Sequence, residues 1–510
     1  MNPQKWYSGP RIVRCFLAVV GTFAWLCAAV VIQQGLLIGS RSPLLWGTAA
    51  TGLLAGLGAW GASLRMSHSQ IETAQRQLAA FLDQDQPVSE DTVSRLWGGR
   101  LVVCGGLLFA INTVWVSRHQ DTPDDDDQGA FLITAREIHA RGGITQLWSD
   151  LWSGRFEESN RHPLLLAIQS LHPTDSFARA ASIALAGVTF GITLALVWHR
   201  LGPLTAGLLS VLLATNGAWL YHAPRMVCES LLTGLAGLLW LMFYPPREPV
   251  QSETSPPLKW QRSLWAGGLA GLVYLTKGTG LLLFAGAGLA FLVMSVTPSS
   301  QRRHWLAALA SFTLAFVVVA SPLLVRNAIR FGSPTYNINS YLLWVDTYES
   351  PNDMAEKMTL QGARATYLAT HTPLDMLKRE ATGLAWEAFI GLRTLGPAPW
   401  NDSRLLFGVP LFVLGLLGLS QTPQFPAWVL ILWTGIVWGA MAWYVPIAAG
   451  DRFVMPLLIP WLTLAANGLV RISHTTSDAS SANRRIAIIA LLWGVTSTAF
   501  VWTRSELWNC

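Results

Sequence analysis

Long apolar runs recur along nearly the whole chain, and shorter polar segments separate them. Each run spans about 20 residues, which as a helix is enough to cross the hydrocarbon core of a bilayer. The run 263–297 is interrupted at Thr276–Gly280, which predicts two short helices meeting at a turn. The pattern therefore predicts an all-α polytopic membrane protein, with further spans at residues 12–38, 43–63, 98–117, 176–199, 203–221, 226–244, 305–325, 404–420, 427–447, 453–471 and 485–503.

Composition supports the membrane interpretation and excludes several other classes. Only 13% of the 510 residues are charged, whereas soluble domains carry about 25%. A cytosolic enzyme, a secreted disulfide scaffold and a disordered chain are therefore excluded. The net charge of +6 comes from dispersed basic residues, which argues against nucleic-acid partners. The five cysteines show no metal-binding or disulfide spacing, so we expect them to be core residues.

Basic residues in short loops predict the orientation, because such loops stay on the cytoplasmic side. The residues that would share that side are Lys5, Arg11, Arg14, Arg65, Arg76, Arg95, Arg200, Lys259, Arg262, Arg302, Arg303, Arg484 and Arg485. The two long connections, 118–175 and 326–403, then lie outside. We expect three parts: an accessory transmembrane hairpin at 1–63, a cytoplasmic polar linker at 64–97, and a membrane body at 98–510.

The charged residues at or near membrane depth share one face under this topology. Charges there are costly and tend to mark function. A single polar cavity that opens outside and lies partly in the membrane explains their common side. The residues concerned are Asp124, Asp125, Asp126, Asp127, Arg225, Glu229, Lys277, Arg326, Asp451 and Arg452.

This set of side chains permits group transfer. A carboxylate without a fixed cation can accept a proton from an acceptor, and arginine or lysine can neutralise a leaving phosphate. Two other interpretations of Asp124–Asp127 stay open: a divalent metal site, and a solvated acidic loop tip. Asp127 could also cap the amphipathic helix predicted over 128–140. We expect Arg326 to anchor at the interface, and Asp451 could be the ion-pair partner of Arg452.

Several motifs, taken in order, resemble one family. The segment Asp127-Gln128-Gly129-Ala130-Phe131, followed by Ala135-Arg136, resembles the Asp-Glu-x-x-Tyr-x-x-x-Ala-Arg motif of the GT-C glycosyltransferases. The nearest members are the protein O-mannosyltransferase and aminoarabinose-transferase-like branch. Arg161-His162-Pro163-Leu164 resembles the motif that closes the first outside loop. Further matches are Arg225 with Glu229, Leu275-Thr276-Lys277-Gly278, Ser321-Pro322 with Arg326-Asn327, Phe331-Gly332-Ser333-Pro334, and Arg452-Phe453 with Pro456 and Pro460.

The resemblance covers about residues 98–503 and implies the GT-C fold, with an eleven-helix membrane body. It also implies an inverting transfer from a polyprenyl-phosphate-linked sugar donor, on the outer face. Asp127 would be the general base, and Asp126 could supply a second carboxylate. The resemblance implies no firm cofactor. The residues on the side of the donor phosphate and sugar would be Arg161, His162, Arg225, Glu229, Lys277 and Arg452.

The chain departs from the family pattern at two positions. Gln128 replaces the usual glutamate and Leu164 replaces the second proline. We expect acceptor recognition, of a lipid, glycan or protein, by the loop 326–403, and location in a bacterial inner membrane. A transporter or flippase of lipid-linked glycans is the alternative, because transporters also place charges near broken helices. Gln128 leaves a third possibility, a pseudo-enzyme or assembly subunit.

Overall fold

The computed structural model describes residues 92–120, 127–245, 259–296, 301–397, 404–476 and 479–503, and the single positions 50, 54 and 57. Apart from those three positions, the predicted N-terminal hairpin lies outside the described residues, as do most of the linker 64–97 and Asp124, Asp125 and Asp126. Every regular element within the described residues is helical, so the predicted all-α class is confirmed.

Nineteen α-helices are described, and we number them from the first. Their bounds are α1 Thr92–His119, α2 Asp127–Ala140, α3 Gly143–Ser153, α4 Pro163–Gln169, α5 Asp175–Leu201, α6 Pro203–Ala214, α7 Gly217–His222, α8 Glu229–Met242, α9 Trp260–Thr276, α10 Gly280–Val296, α11 Arg302–Phe331, α12 Pro351–Lys357, α13 Leu360–Thr370, α14 Pro373–Thr394, α15 Arg404–Ser420, α16 Gln424–Tyr444, α17 Asp451–Val454, α18 Leu458–Thr476 and α19 Ala479–Thr503. Two 3₁₀ helices, Ile338–Trp344 and Met455–Leu457, complete the described elements.

Six described helices are long and apolar enough to cross a membrane: α1, α5, α11, α16, the continuous segment Asp451–Ser473 and most of α19. Four shorter apolar helices accompany them, namely α6, α8, α10 and the segment Phe407–Ser420 of α15. The chain is therefore a multi-pass membrane protein. The predicted run 203–221 differs, because it divides into α6 and α7. Asn216 causes the division, since its side chain accepts a hydrogen bond from the Trp219 amide and starts a new helix.

The break between α9 and α10 lies where the sequence predicts it. Helix α9 ends at Thr276, Lys277 is extended, and α10 begins at Gly280. A Cβ at Gly280 would lie 2.6 Å from the backbone of Tyr274, so only glycine fits this close turn. The turn therefore holds the lysine between two helices instead of along one helix.

The two long connections fold into short helices at one end of the bundle, which we call the loop face. Helices α2–α4 form the first group, and the 3₁₀ helix Ile338–Trp344 with α12–α14 forms the second. The two connections touch each other, because Asn339 donates to Asn160 at 2.6 Å, and the end of α11 adds an ion pair from Arg330 to Glu157 at 3.2 Å. The loop face therefore brings residues from distant parts of the chain together.

Candidate functional site

A polar cavity of about 260 Å³ lies at the loop face. Four separate segments build its walls: the start of α2, residues 221–229, the end of α14 and residues 449–452. Its lining residues are Asp127, Tyr221, His222, Arg225, Val227, Glu229, Arg393, Ala449, Gly450, Asp451 and Arg452. Because most of these side chains are polar or charged, the cavity suits a polar or ionic ligand.

Asp127 and Arg452 form the most direct contact across the cavity. The Arg452 Nη1 donates to Asp127 Oδ2 at 2.6 Å, and the Asp127 side chain is 52% exposed. Asp127 is the first residue of α2, where the positive end of the helix dipole stabilises a carboxylate. Arg452 also lies 5.0 Å from the centre of the Phe453 ring. The predicted base is therefore accessible, but a guanidinium holds it.

Glu229 and Lys277 form a second pair behind the first. Lys277 Nζ donates to Glu229 Oε1 at 2.8 Å, and Glu229 is buried at the first turn of α8. The other Glu229 oxygen, Oε2, has no hydrogen-bond partner among the described residues. Lys277 Nζ also lies 5.9 Å from the Phe453 ring centre, so this ring joins the two ion pairs. The helix break thus places its lysine against Glu229, which lines the cavity.

The remaining wall combines two arginines with a buried aspartate. Arg225 Nη1 donates to the Tyr221 hydroxyl at 2.6 Å. Arg393 Nη2 pairs with Asp451 Oδ1 at 3.3 Å, and the Thr394 hydroxyl donates to the same oxygen at 3.1 Å. The sequence suggested Asp451 as the partner of its neighbour Arg452. In the structure, Arg452 Nη1 binds Asp127 and Arg393 Nη2 binds Asp451.

The charges of the cavity lining balance among the described residues. Arg225, Arg393 and Arg452 are its cations, and Asp127, Glu229 and Asp451 are its carboxylates. Lys277 lies behind Glu229 and adds a fourth cation near the site. The three guanidinium groups are the part of the lining that suits an anionic ligand. A phosphate suits this set, because guanidinium groups bind phosphate oxygens with two parallel hydrogen bonds.

His162 lies outside the cavity lining, although the sequence placed it on the phosphate side. Its Nδ1 bonds to the carbonyl oxygen of Tyr274, and its ring packs edge-on to the Tyr274 ring at 5.1 Å. Burial lowers the pKa of His162 to about 4, so the imidazole is neutral near pH 7. His162 therefore binds the first loop to α9 at Tyr274, which is three residues before Lys277.

Two further arginines from the sequence motifs also stay outside the lining. Arg161 pairs with Glu158 at 2.9 Å within the first loop. Arg326 is only 2% exposed and lies between the rings of Phe156 and Phe331, 5.3 Å from each centre. Arg326 is therefore buried against aromatic rings, and its role as an interfacial anchor stays a prediction. Of the motif residues, the structure brings Asp127, Arg225, Glu229 and Arg452 together in the lining, and Lys277 joins them through Glu229.

Sequence reasoning missed Tyr221, His222 and Arg393 as cavity residues. Tyr221 and His222 end a predicted apolar span and follow no motif, although their closeness to Arg225 was a usable signal. Arg393 lies in the last turn of α14, an amphipathic helix with two other basic residues, Lys378 and Arg379, so nothing in the sequence singles it out. Only the packing of α14 against α16 and α17 brings it to the cavity.

The cavity carboxylates do not fit a metal site. Each of Asp127, Glu229 and Asp451 is already paired with a cation. Within the described ranges, no group of three or more histidine, cysteine, aspartate or glutamate side chains is placed to hold a metal ion. The metal hypothesis for Asp124–Asp127 depends on three residues that lie outside those ranges.

No family model matches the chain, and no curated protein does. Among solved structures, it is similar to ArnT from Cupriavidus metallidurans bound to undecaprenyl phosphate, with 14% identity, a TM-score of 0.46, and coverage of 81% of this chain and 75% of that one. It is also similar to the archaeal oligosaccharyltransferase AglB from Archaeoglobus fulgidus, in complex with an inhibitory peptide and a dolichol-phosphate, with 12% identity, a TM-score of 0.43, and coverage of 82% and 57%. Both are GT-C membrane glycosyltransferases, the family that the sequence motifs resemble. At these identities, the chemistry of this chain rests on its own cavity residues.

Proposed function

We propose that the protein is a membrane glycosyltransferase that moves a sugar from a polyprenyl-phosphate donor to an acceptor hydroxyl or amine. The observation that carries this proposal is the Asp127–Arg452 pair in a cavity lined by three arginines at the ends of membrane helices. A carboxylate can serve as the base, and the surrounding cations can hold a phosphate. The motif resemblance supplies the class of donor.

In the proposed reaction, Asp127 accepts the proton of the acceptor as the acceptor atom attacks the anomeric carbon. The bond between that carbon and the phosphate oxygen breaks, and the electron pair leaves with the polyprenyl phosphate. Attack from the face opposite the phosphate inverts the anomeric centre. Arg225, Arg393 and Arg452 neutralise the charge that develops on the leaving phosphate.

The ion pair between Asp127 and Arg452 gives this reaction an order. The Arg452 guanidinium occupies Oδ2, one of the two Asp127 oxygens that could accept a proton. A donor phosphate in the cavity offers Arg452 a second anionic partner. When Arg452 turns to the phosphate, Asp127 becomes free to accept a proton. Donor binding therefore precedes activation of the base.

Location and acceptor follow from the charge pattern and the loops. We place the cavity on the outer face of a bacterial inner membrane, because the short basic loops favour that orientation. The second group at the loop face, which includes the 3₁₀ helix Ile338–Trp344 and α14, is the part we assign to the acceptor. It contributes Arg393 to the cavity and therefore lies beside the reacting atoms.

Asp127→Asn tests the assignment in membranes supplied with polyprenyl-phosphate sugars and acceptors. The amide cannot take the proton, so we expect the transfer rate to fall by about 10²-fold or more. Donor affinity should change much less, because the cations remain. Asp175→Asn is the matched control, since Asp175 is 53% exposed and also pairs with an arginine, at 3.3 Å. Undiminished transfer by Asp127→Asn, with Asp175→Asn also active, would overturn the proposal.

A further inference from the structure

His222 belongs to the cavity wall but has no assigned role. It is the last residue of α7, is 6% exposed, and packs edge-on to Tyr221 at 5.0 Å. Its Nδ1 is fully buried and has no hydrogen-bond partner among the described residues. Since Nδ1 is covered, Nε2 is the polar atom that the ring presents to the cavity.

The surroundings decide which protonation state His222 adopts. The charged groups that face it are Arg225, Glu229, Asp451 and Arg452. Burial lowers the pKa of His222 to about 4, so the ring is neutral near pH 7. A buried N–H without an acceptor is rarer than a buried acceptor without a donor. The single ring proton therefore belongs on Nε2, and the ring presents an uncharged N–H donor.

We propose that the Nε2–H of His222 donates a hydrogen bond to the phosphate group that Arg225, Arg393 and Arg452 hold in the cavity. The proposal rests on the proposed function, because the phosphate is that of the lipid donor. A phosphate oxygen accepts more than one hydrogen bond, so a neutral donor adds a contact without adding positive charge. His222 is thus a substrate-binding residue from a helix outside the sequence motifs.

Glutamine and asparagine separate the two ring nitrogens in the test. A glutamine in place of His222 would put its amide N–H₂ near the position of Nε2, and an asparagine would put it near Nδ1. The variants His222→Gln, His222→Asn and His222→Leu are therefore compared. The measurement is the Kd of purified full-length protein in nanodiscs for undecaprenyl phosphate. Undecaprenol, which has the same chain and no phosphate, is the control ligand, and His172→Leu, in a loop outside the cavity, is the control variant.

We expect His222→Leu and His222→Asn to raise the Kd for undecaprenyl phosphate by about 10-fold or more. The Kd of His222→Gln for undecaprenyl phosphate should stay within about 3-fold of wild type, because the glutamine amide can make the same hydrogen bond to the phosphate. Undecaprenol binding should be the same in all variants. His222→Gln should fold like the wild type, and His172→Leu should still bind undecaprenyl phosphate. These two results show that the loss of binding in His222→Leu and His222→Asn is due to the missing N–H.

Two failures are distinguishable. If wild type prefers undecaprenyl phosphate over undecaprenol and His222→Leu keeps that preference, only the role of His222 is overturned. The same holds if His222→Gln loses binding as fully as His222→Leu, because the N–H position then does not matter. If wild type binds both lipids equally, the phosphate site and the proposed function are both overturned.

Discussion

Asp127 and Arg452 are 325 positions apart in sequence, and their side chains meet at 2.6 Å. The sequence predicted both as site residues, because each is a charge near membrane depth on one face. It did not predict their pairing, since that depends on where α2 and α17 lie relative to each other. The same holds for Lys277 with Glu229. Scarce charges could thus be located from sequence, but their partners could not.

Gln128 stands at the position where the GT-C motif has a glutamate. It is 1% exposed, and its Oε1 accepts a hydrogen bond from the Met226 amide at 3.1 Å. The contact holds the start of α2 against the segment that carries Arg225 and Glu229. A neutral amide suits this buried position better than a charge does. The sequence identified the substitution, but the contact that Gln128 makes is visible only in the structure.

Glu387 provides a pH-dependent test at the scale of one side chain. It is 2% exposed, and neither carboxylate oxygen has a partner among the described residues. Burial raises the pKa of Glu387 to about 7, and the negative charge of Asp451 adds to the shift. The unfolded chain has a pKa of about 4.3 at such a group. Folding therefore binds a proton, and the stability of the folded state falls as the pH rises from about 4.5 to about 7.

Glu387→Gln removes this proton uptake. We expect the Tm of Glu387→Gln minus the Tm of wild type to be more positive at pH 8 than at pH 5. A constant effect of the amide on the Tm does not change this comparison. Glu356→Gln removes an exposed carboxylate and should show no such pH-dependent gain. Thermal unfolding in detergent at several pH values checks the result. A difference between wild type and Glu387→Gln that does not vary with pH would contradict the buried neutral acid.

Helix breaks were predictable only where a charge marked them. Lys277 interrupts an apolar run and so predicted the turn between α9 and α10. Thr215 and Asn216 form the break between α6 and α7. Both are polar but uncharged, and the apolar run continues on both sides of them. Helix capping by Asn216 decides that break, and one such residue is a weak signal in a membrane span. The second break orients α7, and thereby Tyr221 and His222.

Close packing of α14 on α16 places Arg393 at the cavity. A Cβ at Gly383 would collide with the carbonyl oxygen of Ala442 on α16. Gly383→Ala should therefore separate the two helices and destabilise the protein by about 1–3 kcal/mol. Gly391→Ala, on the same helix, is the matched control, because a Cβ there meets nothing within 4 Å. It should be neutral or slightly stabilising, by up to about 1 kcal/mol.

Thermal unfolding of the two glycine variants decides this prediction, with transfer activity as the second readout. Gly383→Ala should lower both the Tm and the activity, since Arg393 follows the movement of α14. A Gly383→Ala variant that unfolds at the wild-type Tm would show that the helices do not need this contact. A Gly391→Ala variant that unfolds as readily as Gly383→Ala would mean that α14 tolerates no added methyl group.

At the scale of the whole molecule, the loop face joins four segments from residues 127 to 452 into one cavity. The sequence predicted this convergence from the sidedness of its charges, and the described residues agree for five of the motif positions. Arg161, His162 and Arg326 lie outside the lining: Arg161 pairs with Glu158 in the first loop, His162 bonds to the Tyr274 carbonyl, and Arg326 lies against two aromatic rings. The sequence predicted which charged residues lie near the site. It could not predict which neighbouring group each of them would pair with.

In the proposed reaction, a phosphate in the cavity draws Arg452 away from Asp127 and so frees the base. A structure of the wild-type protein with undecaprenyl phosphate bound measures this directly, through the distance from Arg452 Nη1 to Asp127 Oδ2. We expect that distance to exceed the 2.6 Å of the ion pair and Arg452 to contact a phosphate oxygen beside Arg225 and Arg393. An unchanged ion pair, or a phosphate bound outside the cavity, would contradict the account.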